Sequence, residues 1–182
     1  VSIGSAGSGV YFNALDFLAA YDMSLDDITP AYASFGDSAE DLKNEAIDAA
    51  FVVAGAPTPA LVDLATTKGC FLVGLDDEHV AKLQEISSAY TKSIIPAGTY
   101  EGIDEDVTTV GVMATIIANE DVTEDEAYTI VSTIFENKDA ITKAHAKGAE
   151  LDLEFAASYT AVPYHPGAVK YFGDKGIKVT GK

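Results

Sequence analysis

The sequence contains no arginine and no tryptophan, and its acidic residues far outnumber its basic ones. Its 29 Asp and Glu residues stand against 11 lysines, which gives a net charge of -18 over 182 residues. This charge repels nucleic acids and anionic membrane surfaces, so neither is an expected partner. Because the chain has no arginine to form a bidentate ion pair with an anion, any anionic ligand must be bound by short-range donors such as backbone N–H groups.

Cysteine, histidine and long apolar runs are also scarce. Cys70 is the only cysteine, so no internal disulfide can form, and its strand-like apolar surroundings predict a buried structural thiol. His79, His145 and His165 are not at metal-ligand spacing, and the acidic run 104–106 lacks the spacing of an EF-hand loop, so no metal or cofactor is predicted. We expect the first two histidines on solvated helix faces and the third in a cap or surface hydrogen bond. No apolar run reaches the ~18 residues of a membrane span.

The first ten residues, VSIGSAGSGV, predict a short strand, a turn of small residues and a helix that begins near Ser8. Such a turn leaves backbone N–H groups unpaired at the positive end of a helix dipole, and Ser5 and Ser8 add hydroxyl donors. This is a candidate binding site for a carboxylate or phosphate group. The alternative is an ordinary strand-to-helix turn whose glycines only relieve crowding.

A second turn of the same kind, Gly55-Ala56-Pro57-Thr58, follows the apolar run 48–54 and precedes a helix with Thr58 as N-cap and Pro59 at its first position. Further strands are expected at 28–34 and 71–75, and helices at 8–21, 37–47, 59–68 and 76–86. This alternation predicts an α/β fold with a mostly parallel sheet. Ligands of such sheets bind at the carboxyl ends of the strands, so both turns are expected to form one anion-binding pocket.

The pattern changes after residue 90. An extended segment at 90–96 and a loop rich in glycine and acids at 97–106 precede the longest β-like run, 107–118, which is long enough to pass from one lobe into another. Thr123 and Glu126 have the spacing of a capping box for a helix to about residue 137. More helix is expected to residue 147, and His165-Pro166-Gly167 begins a last helix that ends near residue 176.

The sequence shows no Ser–His–acid motif, no Gly-Lys-Ser/Thr phosphate loop and no complete dinucleotide fingerprint. Without a visible nucleophile or base, the two turns predict a binding protein and not an enzyme. Two alternatives stay open. One is an α/β enzyme that acts on a phosphorylated or carboxylated metabolite through the same turn, and the other is a chain that folds without binding a ligand.

Four blocks of sequence carry a resemblance to a known family. They are SIGSAGSG at 2–9, AAFVVAGAPTPA at 49–60, IPAGTY at 95–100 and PYHPGA at 163–168. In this order and spread over the whole chain, they resemble the TAXI-type solute-binding proteins of TRAP (tripartite ATP-independent periplasmic) transporters.

The resemblance implies a two-lobed periplasmic-binding-protein fold of type II that closes on a small carboxylate solute. That solute is a mono- or dicarboxylate or an acidic amino acid such as glutamate, passed in the periplasm to TRAP membrane permease subunits driven by an ion gradient. Residues 1–106 would form the second α/β lobe, and 107–182 would supply a crossing strand and helices of a first lobe whose N-terminal part, like the signal peptide, is absent from this sequence. Exposed first-lobe surfaces are then expected to cause self-association.

The resemblance also implies which residues touch the ligand. The ligand carboxylate would be bound by residues of the first turn, and the pocket would be walled by the second. These residues are, in order, Ser5, Ser8, Gly9, Val10 and Tyr11, and then Gly55, Ala56, Pro57 and Thr58.

Overall fold

The computed structural model of the chain describes residues 1–160 and 162–181. The fold is mixed α/β, and it divides into two compact units, Val1–Val112 and Met113–Lys182. In the part of the chain that the structure describes, no helix is both long enough and apolar enough to cross a membrane.

The first unit contains four α-helices, each preceded by a polar N-cap residue. They are α1 (Gly9–Ala20), α2 (Phe35–Lys43), α3 (Pro59–Thr67) and α4 (Asp77–Ile86). The predicted N-caps Ser8 and Thr58 are confirmed. The predicted start of α2 is wrong, because Ser34 and not Asp37 is its N-cap. The Ser34 hydroxyl oxygen accepts the Asp37 N–H at 3.2 Å and also donates to the Asp37 carboxylate at 2.6 Å, so the helix begins earlier than the sequence predicts.

Residues 1–3 lie between two other extended segments in parallel orientation. Ser2 forms parallel bridges with Ala31 on one side and with Ala50 on the other. The Ser2 N–H donates to the Ala49 carbonyl at 2.8 Å, and the Phe51 N–H donates to the Ser2 carbonyl at 2.8 Å. The parallel pairing is therefore present here, but as isolated bridges and not as the longer strands predicted at 28–34 and 48–54. Pro30, which has no N–H to donate, interrupts the first of these segments.

Strands β1 (Thr91–Ile95) and β2 (Val107–Gly111) form a two-stranded antiparallel sheet, with Thr91 opposite Gly111. Within residues 1–160 and 162–181 this is the one regular sheet, so the prediction of a mostly parallel sheet is wrong for the assigned strands. The strand predicted over 107–118 ends at Gly111, because its partner β1 offers only five residues to pair with. The strand predicted at 71–75 is replaced by one backbone hydrogen bond, from the Leu75 N–H to the Thr108 carbonyl at 2.9 Å.

Two apolar clusters form the core of the first unit. One joins α1, α4 and the start of β1 through Ala20, Leu75, Val80, Leu83 and Tyr90. The other lies beneath α3 and the loop between β1 and β2, and its buried members are Ala65, Tyr100 and Ile103. Cys70 packs against this second cluster but is only half-buried, and its burial raises the pKa of the thiol. Its surroundings agree with a structural thiol, although its burial is less than predicted.

The second unit is helical. Its helices are α5 (Glu124–Glu136), α6 (Lys138–Ala144), α7 (Leu153–Ala157) and α8 (Pro166–Asp174). Helices α5 and α8 approach closely at Gly167, where a Cβ atom would collide with the Glu124 carbonyl and with Ala127. The Tyr171 ring then stacks on Phe135 with ring centroids 6.0 Å apart. The capping box predicted for α5 is confirmed, and so is the start of the last helix at Pro166.

Candidate functional site

The first turn brings the start of α1 close to the end of the extended segment 1–3 that precedes it. Gly4 has a φ of 80°, and a Cβ atom there would lie 2.7 Å from the Val10 Cβ. Only glycine meets both conditions, the left-handed backbone and the close approach of a side chain. The Ser8 N–H donates to the Ser5 carbonyl at 3.0 Å and closes the turn. The compact turn is therefore formed by the left-handed backbone at Gly4 and by a backbone hydrogen bond.

The start of α1 offers hydrogen-bond donors toward solvent. The Ser8 hydroxyl oxygen accepts the Tyr11 N–H at 3.3 Å, which leaves its hydroxyl hydrogen available to donate. Within the described residues, the N–H groups of Gly9 and Val10 donate to no protein acceptor. Ser5 and Gly9 are exposed, while Ser8, Val10 and Tyr11 are half-buried. The first turn of the helix contains no acidic residue, so nothing in it competes with an anion.

The second turn is built differently, because its polar groups are bonded inside the protein. The Thr58 hydroxyl donates to the Gly55 carbonyl at 3.1 Å and does not cap α3. The backbone N–H of Thr58 donates to the Tyr100 hydroxyl oxygen at 2.9 Å, and Ala56 packs against the cluster that contains Tyr100. With Thr58 only 7% exposed, the geometry suits the wall of a pocket more than a ligand donor.

Both turns leave the same edge of the extended segments. Residues 1–3 and the segment around Ala50 are parallel neighbours, so their carboxyl ends point the same way, and each is followed by a helix start. The segment around Ala31 is the third parallel neighbour and leads to α2. The first turn of α3, like that of α1, contains no acidic residue.

The structure adds Tyr32 to the residues predicted from the sequence. Its ring stacks on the Tyr11 ring, with centroids 6.2 Å apart and an interplanar angle of 30°, and it is 51% exposed. Tyr32 lies in the segment that leads to α2, whose N-cap is Ser34. The sequence signal that points to this third helix start is the spacing of Ser34 and Asp37, which also fits a serine N-cap.

His79 and His165 both form their hydrogen bonds with groups outside the first turn. His79 is not on a solvated helix face as predicted, because its Nδ1 lies 2.7 Å from the Asp76 carboxylate and its ring stacks on Tyr21 at 3.7 Å. His165 caps α8 as predicted: its Nδ1 accepts the Gly167 N–H at 3.2 Å, so its Nε2 carries the proton and donates to the Val122 carbonyl at 2.9 Å. The described residues contain no cluster of three or more His, Cys, Asp or Glu residues suited to a metal.

A groove in the second unit is unsuited to an anion. Its volume is about 590 Å³, and it follows the start of α5. The carboxylates of Asp121, Asp125 and Glu126 line it and would repel a negatively charged ligand. The groove therefore does not compete with the two turns as a binding site for a carboxylate.

Comparison with known proteins places the chain in a family. Residues 1–176 match the NMT1-like family, and the chain belongs to it. This family is of the periplasmic-binding-protein type, and its members are typically extracytoplasmic solute-binding proteins that work with membrane transporter components. Family membership therefore indicates a solute-binding role for the chain.

Proposed function

We propose that this member of the NMT1-like family is the solute-binding component of a TAXI-type TRAP transporter, and that it captures a small organic acid. The observation that carries the proposal is the pair of helix starts at one edge of the parallel segments. Neither α1 nor α3 has an acidic residue in its first turn, although the chain carries a net charge of -18. Two positive helix ends kept clear of carboxylates favour an anionic ligand.

In the proposed site the first turn binds the carboxylate. The donors are the N–H groups of Gly9 and Val10 and the hydroxyls of Ser5 and Ser8, and the Tyr11 ring covers one side. The residues Gly55, Ala56, Pro57 and Thr58 form the opposite wall. Because the chain has no arginine, binding relies on these short-range donors, and affinity is expected to depend on their positions more than on net charge.

The proposal includes the lobes of a periplasmic-binding protein. In the proposal, residues 1–106 belong to the α/β lobe that holds both turns, β2 completes the sheet of that lobe, and the helices that follow Val112 would belong to the other lobe. In support, residues that follow β2 are apolar and exposed, with Ile116 at 73% and Ile117 at 84%.

The test is thermal unfolding of the full chain with acetate, pyruvate, succinate and glutamate. A ligand in hundredfold excess over its Kd stabilises the native state by about 2.7 kcal/mol, so a true ligand raises the melting temperature in a concentration-dependent way. Succinamide, which has the shape of succinate without its charge, is the matched control and is expected to give no shift. If no carboxylate raises the melting temperature, the proposal is wrong.

The same experiment distinguishes the proposed solute-binding protein from an α/β enzyme. An enzyme that uses the first turn needs a general base near Ser5 or Ser8. Among the described residues, no histidine or carboxylate forms a hydrogen bond with the Ser8 hydroxyl. Stabilisation by inorganic phosphate, with no effect of any carboxylate, would favour the enzyme acting on a phosphorylated metabolite.

A further inference from the structure

Tyr100 joins the second turn to the core of the first unit. Its hydroxyl oxygen accepts the backbone N–H of Thr58 at 2.9 Å, across 42 positions of sequence. Both residues are buried, with Tyr100 at 3% exposure and Thr58 at 7%. Thr58 is the N-cap residue of α3, so this bond holds the point at which the chain changes from turn to helix.

The phenol is itself held firmly in place. Its ring belongs to the cluster with Ala65 and Ile103, against which Ala56 of the turn also packs. The loop that carries it is closed by the Gly98 N–H, which donates to the Ile103 carbonyl at 2.7 Å. A second bond runs from the Ala97 N–H to the Asp106 carboxylate at 2.8 Å. The hydroxyl is thus a fixed acceptor for the Thr58 N–H.

We infer that Tyr100 is a positioning residue for ligand binding: its hydroxyl sets the conformation of the turn formed by residues 55–58 and thereby the width of the pocket. The inference rests on the proposed function, since that turn is the proposed wall of the carboxylate site. A Tyr100→Phe variant keeps the ring and its packing but leaves the buried Thr58 N–H without its acceptor. The turn then has to shift so that this N–H finds water or another acceptor.

Tyr90 offers a matched control in the same unit. Its hydroxyl accepts from the Asn13 side chain at 2.7 Å and donates to the Asp16 carboxylate at 2.7 Å, and it is 6% exposed. The change Tyr90→Phe therefore removes a phenol hydroxyl of similar burial, but one that contacts the middle of α1 and not a turn. Both variants are expected to lose stability, because each removes a buried hydroxyl that is hydrogen-bonded, so stability alone does not distinguish them.

The experiment measures carboxylate affinity and the hydrogen exchange of the Thr58 amide in the full chain and in both variants. The probes are the four carboxylates of the thermal unfolding panel. We expect Tyr100→Phe to weaken binding about tenfold and to speed exchange of the Thr58 amide, which reports the lost bond directly. Tyr90→Phe is expected to leave both nearly unchanged. Equal losses of affinity in the two variants, or unchanged affinity in Tyr100→Phe, would overturn the inference.

The measurement of hydrogen exchange at the Thr58 amide does not depend on the proposed function. If no carboxylate binds the unchanged chain, the proposed function fails, while exchange at Thr58 still decides whether Tyr100 holds the turn. If Tyr100→Phe does not fold, the unchanged chain supplies the test, because the bond predicts exchange of the Thr58 amide far slower than that of an unprotected amide. Exchange at the unprotected rate would overturn the inference.

Discussion

The starts of α1 and α5 use the same N-cap chemistry for opposite results. Each has a hydroxyl side chain at its N-cap, Ser8 in one and Thr123 in the other, which accepts an N–H from the first turn. At α5 the Glu126 carboxylate then accepts the Thr123 N–H at 2.9 Å and its hydroxyl at 2.7 Å. At α1 no carboxylate takes this place. The start of α5 is therefore satisfied by its own side chains, whereas the start of α1 leaves the N–H groups of Gly9 and Val10 without a protein acceptor among the described residues.

The two starts also differ in how the chain reaches them. The turn before α1 needs left-handed backbone at Gly4 and Gly7, whereas no residue from 112 to 124 has a positive φ. Backbone geometry therefore makes the start of α1, and side-chain hydrogen bonds make the start of α5. An acidic first turn in this chain therefore marks a helix start that repels an anionic ligand.

The largest effect is expected from Gly4→Ala, which breaks the backbone turn before α1. It forces a left-handed conformation on alanine and places a Cβ 2.7 Å from the Val10 Cβ. We expect the free energy of unfolding to fall by about 3 kcal/mol. The control is Gly7→Ala, where φ is 72° but nothing lies within 4 Å of the added Cβ, so the loss is about 1 kcal/mol. Urea unfolding measures both, and equal losses would contradict the steric argument.

The next effect is expected from Ser8→Asp, which gives α1 an acidic start like that of α5. Aspartate is a good N-cap, so the free energy of unfolding is kept or slightly raised. Its carboxylate occupies the proposed anion site, so affinity for a carboxylate ligand falls at least about tenfold, or ~1.4 kcal/mol. Ser8→Asn is the neutral control with similar capping. Isothermal titration calorimetry measures the affinity of both variants for the carboxylate ligand. Equal affinities would show that the ligand carboxylate does not bind at this turn.

The smallest effect is expected at α5, as a loss of folding stability when the pH is lowered. Hydrogen bonds from the Thr123 N–H and hydroxyl lower the pKa of Glu126 from its usual 4.5. Because the unfolded chain binds this proton more readily, the carboxylate stabilises the fold fully above about pH 4.5, and this is lost as the pH falls through the lowered pKa. Urea unfolding across this range is expected to show the loss in the unchanged chain and not in Glu126→Gln.

Asp125→Asn is the control for that titration, because Asp125 lies in the same turn without a part in the capping box. It should keep the acid-sensitive stability of the unchanged chain. If Glu126→Gln and Asp125→Asn gave the same pH profile, the capping carboxylate would not be the source of the effect, and the contrast between the two helix starts would lose its electrostatic basis.

The sequence predicted helix starts far better than strands. The N-cap Ser8 and the capping box at Thr123 were predictable because their hydrogen bonds join residues at most three positions apart. The start of α3 after Thr58 was predictable because Pro59 favours the first position of a helix. The run 107–118 is rich in valine, threonine and isoleucine, yet only its first five residues form β2. A strand's length depends on what it pairs with, and β1 supplies partners for just those five.

The candidate site divides in the same way. The first turn could be located from its glycines and serines. Its hydrogen-bond donors are backbone N–H groups and serine hydroxyls whose positions depend only on the local backbone. The sequence did not show that Tyr32 stacks on Tyr11, nor that Thr58 would be bonded within the protein. Both contacts join segments that are separate in sequence, and no spacing rule connects them.

What the sequence determined by itself is the chemistry of each helix end: which starts carry acids, which carry serine or threonine caps, and which turn needs a left-handed glycine. These are properties of residues within one turn of each other. Tertiary structure decided which of these ends share an edge, through the parallel bridges of Ser2 to Ala31 and Ala50, and which core side chain holds the second turn, through Tyr100. Such pairings follow from long-range packing, whose partners local spacing does not specify.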